Sequence, residues 1–148
     1  MAQASQRLKT ASEQTGKTPT ELAAVTGITV PHYYDLETYD DELYMTLALS
    51  ELWKLCAEMG ISLRYLFSGE QPAPDTPIPF SSLAEMVTKY LDDQQMSQGS
   101  FEDLVGWSLA DFTTNPESAW SWNADCLRDV CAALGVKWMD ALPVGGAE

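Results

Sequence analysis

Apolar positions recur along this chain at three- and four-residue intervals, the spacing that lines one face of an α-helix. Ala4, Leu8 and Ala11 predict a helix at the front. Thr18-Pro19-Thr20-Glu21 reads as a capping box with proline at the first helical position, opening a helix through Leu22 and Ala23 that stops at Gly27. Thr29 caps a short helix through Tyr33 and Leu36. Leu49, Leu52, Trp53, Cys56 and Met59 mark another, ending at Gly60, and Ser62 opens a last one with Leu63, Leu66 and Phe67.

The second part of the chain repeats the plan. Leu83, Met86, Val87, Tyr90 and Leu91 share a helical face, with Ser82 and Glu85 placed as a capping box. Ser97-Gln98 opens a helix holding Phe101 and Val105 that ends at Gly106. Ser108 is placed to cap a helix bearing Leu109 and Phe112. Leu127, Val130, Cys131 and Leu134 line a further face ending at Gly135, and Trp138, Met139 and Leu142 close the set. Thr18, Leu22 and Gly27 match Ser97, Phe101 and Gly106 at an offset of 79, while Leu52, Cys56, Ala57 and Gly60 match Leu127, Cys131, Ala132 and Gly135 at 75. Four residues are therefore extra in the first copy, and the stretch Thr38–Tyr44 is where they fit. Between the copies, Pro72, Pro74, Pro77 and Pro79 cannot continue a helix and favour extended chain. The reading is an all-α chain: a first domain at 1–68, a proline-rich linker at 69–79, a second domain at 80–142 and a tail at 143–148. Two halves this small bury limited core alone and are expected to pack together. The expected core is Leu8, Leu22, Ala23, Ile28, Leu36, Leu52, Cys56, Leu66, Leu83, Val87, Phe101, Val105, Leu127, Cys131 and Leu134.

The segments Thr18–Thr29 and Leu52–Leu63 carry a resemblance. Their order of Thr, Glu21-Leu22-Ala23, Gly27-Ile28-Thr29 and later Met59-Gly60-Ile61-Ser62 resembles the Cro and lambda-repressor-like (XRE) helix-turn-helix family. The second copy matches more weakly, through Met96-Ser97-Gln98, Val105-Gly106-Trp107-Ser108 and Ala133-Leu134-Gly135-Val136. The resemblance implies two tandem five-helix lambda-repressor-like domains, in each of which the third helix would enter the DNA major groove. On that reading a sequence-specific transcriptional regulator would use Thr18, Thr29, Val30, Tyr34, Gln98 and Ser108 as its DNA contacts.

Charge changes the picture. Lys and Arg total 8 against 22 Asp and Glu, a formal net charge of −14. Residues 1–70 hold 5 basic and 10 acidic side chains, and residues 71–148 hold 3 and 12. Ordinary DNA binders neutralise about six to ten phosphates with Lys and Arg. Here neither candidate recognition helix contains either residue, and Pro19 stands where the family carries a phosphate-contacting Gln. Only Arg7, Lys9 and Lys17 offer a small basic patch. DNA remains a partner the fold would suggest and the charge disfavours; anionic membrane surfaces are disfavoured for the same reason.

The acid excess favours a basic partner protein, or a DNA-binding protein that the chain occupies by imitating the phosphate pattern. The candidate contact is Tyr34, Asp35, Glu37, Tyr39, Asp40, Asp41, Glu42 and Tyr44, where tyrosines stand among carboxylates. Tyrosine suits interfaces because it brings area and a polar tip. The plainer alternative is a solvated acidic loop at Tyr39–Glu42, with Leu36 and one or two tyrosines in the core. Trp53, Trp107 and Trp138 fall at core positions of the repeat, and Trp120-Ser121-Trp122 is read as packing within its own domain, with a homodimer contact as the alternative.

Other chemistry finds little footing. There is no phosphate-cradling glycine loop and no nucleophile elbow, so no enzyme activity and no cofactor are expected. His32, the single histidine, has no ligand pattern around it and reads as a polar surface side chain. Cys56, Cys126 and Cys131 behave as small buried hydrophobes rather than a disulfide set. Together with the absence of an apolar leader or an 18-residue apolar run, they lead to the expectation of a cytoplasmic protein.

Overall fold

Among the described residues, short polar residues start five of the nine α-helices, and left-handed glycines stop six of them. The computed structural model describes residues 3–69 and 78–142. Its α-helices are α1 (Ala4–Thr15), α2 (Pro19–Thr26), α3 (Val30–Thr38), α4 (Asp40–Met45), α5 (Leu49–Met59), α6 (Leu63–Ser68), α7 (Phe80–Gln94), α8 (Gln98–Val105) and α9 (Ala124–Leu134). Two short 3-10 helices lie at Pro116–Ser121 and Trp138–Ala141. No strand occurs among the described residues.

The capping box of α2 forms in full: Thr18 Oγ1 accepts from Glu21 N (3.2 Å) and Glu21 Oε1 accepts from Thr18 N (3.1 Å). Ser97 Oγ accepts from Ser100 N in the corresponding place on α8. Gly27 and Gly106 then end the two helices at φ 74° and 82°, a conformation that glycine adopts without steric cost.

Four local expectations are corrected. Tyr39–Glu42 is not a loop: Asp40–Met45 is helix α4, so the first half carries six helices rather than five. Three acids in its first turn sit at the positive end of the helix dipole, where negative charge is stabilising. Ser82 does not cap α7, because that helix already begins at Phe80, with Pro79 before it at φ −61°. Ser108 opens no helix. The N–H of Leu109 is taken instead by Glu102 Oε2 (2.6 Å), and Ala110 turns left-handed at φ 49°. The chain then winds through turns closed on the carbonyl of Asp111 before Pro116. Leu109 and Phe112 are still buried, so the apolar spacing was right about burial and wrong about conformation. The last correction concerns burial: Ile28 and Leu134 are only half-buried, since each sits where its helix runs out, just after Gly27 and just before Gly135.

Among the described residues the buried apolar side chains form one core cluster that runs through both halves. Within the first half α2 packs on α5 and α1 on α3; within the second, α7 packs on the Pro116–Ser121 turn and α8 on α9. Across the halves, α4 meets α9, α5 meets the Pro116–Ser121 turn and α6 meets the Trp138–Ala141 turn. Leu49 N donates to Trp122 O (2.7 Å), and Arg64 Nη1 pairs with Asp140 Oδ1 (2.6 Å). Trp138 stacks obliquely against Tyr44 and Phe67, with centroids 5.8 and 5.2 Å away. The tryptophans of the seam are accordingly half-buried rather than core: Trp53 meets Trp120 edge-on at 6.1 Å, and Trp120 also meets Phe80 at 5.4 Å. Trp120 thus packs across the halves, whereas Trp122 packs inside its own, on Phe112. Most of the proline-rich stretch (70–77) and the 143–148 tail lie outside the described residues.

Candidate protein-contact face

The backbone of Tyr39 divides the acidic segment into two helices, each with an inner and an outer face. Thr29 Oγ1 caps α3 by accepting from His32 N (3.3 Å), which sets the phase of the helix. Tyr33 and Leu36 then point into the core, and Tyr34 and Asp35 point out. At the end of α3, Tyr39 N donates to Asp35 O (2.8 Å), while Tyr39 O accepts from Glu42 N (3.2 Å). One extended residue closes α3 and opens α4, and its side chain is left 59% exposed.

The eight candidate contact residues therefore separate by role. Asp40 Oδ1 accepts from Ser5 N (2.8 Å) at the free N-terminal end of α1. Glu37 Oε2 accepts from Ser12 Oγ (3.0 Å). Glu42 Oε2 accepts from Thr46 Oγ1 (2.6 Å) and lies 3.6 Å from His32 Nε2. Tyr44 faces the seam between the halves, where the Arg128 guanidinium stands over its ring at 5.0 Å. Burial raises the Tyr44 phenol, and the nearby Arg128 charge opposes that rise. What remains outward is Tyr34 (51% exposed), Asp35, Tyr39 and Asp41, with Met45 (60% exposed) at the far end of α4. Sequence reasoning missed Met45, because it read no helix here and so no outward face for a methionine to end.

The residues set out for DNA contact are largely occupied elsewhere. Thr18 and Thr29 cap helices. Val30 is half-buried against the core. Tyr34 is exposed but carries no cation beside it on α3. Gln98 donates through Nε2 to Ala110 O (2.7 Å) and accepts weakly from Thr113 Oγ1 (3.5 Å), so both ends of its amide are held within the second half. Ser108 is exposed in irregular chain between two turns instead of at a helix start.

Most of the scarce cations are committed as well. Arg7 closes the C-terminal end of α6, donating to Leu66 O (2.8 Å) and Phe67 O (2.9 Å). Lys17 pairs with Glu58, Arg64 with Asp140, Lys89 with Asp93, and Arg128 with Asp125. Lys9, Lys54 and Lys137 have no ion-pair partner among the described residues, and they lie on different elements. Of the small basic patch expected at Arg7, Lys9 and Lys17, only Lys9 stays available.

Among the described residues no group of three His, Cys, Asp or Glu is placed to hold a metal ion. None of the described helices is long and apolar enough to cross a membrane. Cys56, Cys126 and Cys131 are buried free thiols. The chain matches no family model, no curated protein and no solved structure.

Proposed function

We propose that this chain is a regulatory protein, a tandem and partly degenerate relative of the lambda-repressor-like helix-turn-helix fold, that acts by binding a basic protein rather than DNA. The observation that carries this reading is the outward surface of α3 and the start of α4. It presents Tyr34, Asp35, Tyr39 and Asp41 and contains no Lys or Arg. Arg–guanine and Gln–adenine pairs, the usual direct readout, have no donor there. Phosphate neutralisation has no counterpart either, since five of the 8 basic side chains are already held by carboxylates or helix-end carbonyls. Exposed tyrosine and carboxylate together suit a basic protein surface.

Two measurements test it. In a gel shift across genomic fragments, the full chain is expected to show no tight, sequence-selective complex at physiological salt. Such a complex would instead favour a DNA-binding regulator. In affinity capture from the native host, with protein and nucleic acid both assayed, a basic protein is expected. The paired reversal Asp35→Lys with Asp41→Lys should weaken its binding by about tenfold or more. Unchanged binding would remove this face as the contact.

A further inference from the structure

A cleft of about 440 Å³ opens where the α4–α5 connection meets the second half. On one side stand Met45 and Glu51; on the other stand Trp107, Ser108, Trp122 and Asn123. Its walls are fixed from behind. Trp107 Nε1 donates to Asp129 Oδ2 (2.8 Å), and Trp122 packs on Phe112 with ring centroids 4.5 Å apart. Asn123 donates to Met45 O (3.0 Å), which ties the two sides of the cleft together. Glu51 spends Oε1 on Ala48 N (3.1 Å) and keeps its second carboxylate oxygen for another partner.

The lining has a consistent chemistry. It holds one carboxylate, the half-buried indole of Trp107, the mostly buried indole of Trp122, the hydroxyls of Thr46, Ser108 and Ser121, and the exposed thioether of Met45 at the rim. None of its residues is Lys, Arg or His. An anion would meet Glu51 with nothing to offset it. A purely apolar group would leave the second Glu51 oxygen, the one that does not accept from Ala48 N, without a partner. A cation on an apolar stem satisfies both, because indole faces and carboxylates each attract it and Met45 adapts to the stem. We infer that this cleft seats one arginine side chain projecting from an extended basic segment of the partner protein. Arginine fits better than lysine because its flat guanidinium is weakly hydrated and can both stack on indole and pair with a carboxylate. The inference rests on the reading of the chain as a binder of basic protein, and adds where a single cationic side chain is held.

The test is calorimetric titration of the full chain with a short arginine-rich peptide and with the same peptide carrying citrulline, which keeps the shape and loses the charge. The arginine peptide should bind, and the citrulline peptide should bind at least about tenfold more weakly. Glu51→Gln preserves the oxygen that accepts from Ala48 and should cost about tenfold. Met45→Lys lies at an exposed position, so folding is spared, and it should reduce binding further by placing a cation at the mouth. Equal binding of the two peptides, or unchanged binding to both variants, overturns the cleft assignment. If only Asp35→Lys with Asp41→Lys weakens the peptide, the cleft is wrong while the α3–α4 contact stands. If the cleft variants weaken the peptide and the native partner ignores both sets, the cleft holds arginine and the reading built on α3–α4 fails.

Discussion

Asp40 Oδ1 receives a hydrogen bond of 2.8 Å from Ser5 N, so a residue of the acidic segment caps a helix whose second residue lies 35 positions earlier in the chain. This is a structural use of a carboxylate that composition alone would assign to the surface. Asp40→Ala is expected to destabilise the protein by about 1 kcal/mol, the usual cost of losing a helix cap. Asp41→Ala, one residue away and exposed, should stay within about 0.5 kcal/mol of the parent. Urea unfolding of the two variants checks this, and equal losses would contradict the division into inner and outer acids.

The seam predicts cooperativity. Arg64 and Asp140 pair with side chains only 12% and 22% exposed, so removing one partner strands a charge in a poorly hydrated place. Arg64→Ala should lower stability by about 2–3 kcal/mol, discounted from a fully buried pair for that residual exposure. Trp120→Ala should cost a similar amount, about 2–3 kcal/mol, through lost contacts with Trp53 and Phe80. In the parent, far-ultraviolet circular dichroism and tryptophan fluorescence should report one coincident urea transition. Separate transitions would mean that the halves unfold independently.

Ala110 sits at φ 49°, where a side chain is strained and glycine is not. Ala110→Gly should therefore stabilise the fold by about 0.5–1 kcal/mol after the larger entropy of the unfolded chain is counted. A loss on thermal or urea unfolding would show that this turn is held differently.

Burial pushes the thiols of Cys56, Cys126 and Cys131 from their ordinary 9.0 up to about 12. Their folded-state values lie above the unfolded ones, so they contribute stability that is fully present below about 9 and lost as pH rises toward about 12. Thiol-specific labelling at mildly alkaline pH should be slow in the native protein and immediate after denaturation. Stability measured across that alkaline window should fall with pH. Rapid native labelling would place at least one thiol at the surface.

The sequence carried local signals better than tertiary ones. Thr18, Ser97, Gly27 and Gly106 act through their own neighbourhoods, and their roles were readable from type and spacing. Helix α4 was hidden because three successive acids look like a loop unless the dipole they stabilise is considered. The Leu109–Asn115 turns were hidden because the deciding bond, from Leu109 N to Glu102, joins residues on either side of a glycine and competes with the serine cap. In the candidate site, the sequence names the tyrosines and acids, but which of them are already engaged depends on Ser5, Ser12 and Arg128, all distant in sequence.

Trp120 stands edge-on to both Trp53 and Phe80. The consequence is genealogical. A smaller ring at any of the three leaves a void that the other two must reshape to fill. Replacement there can persist only as a matched set. The two halves are thereby bound to change together where these rings meet.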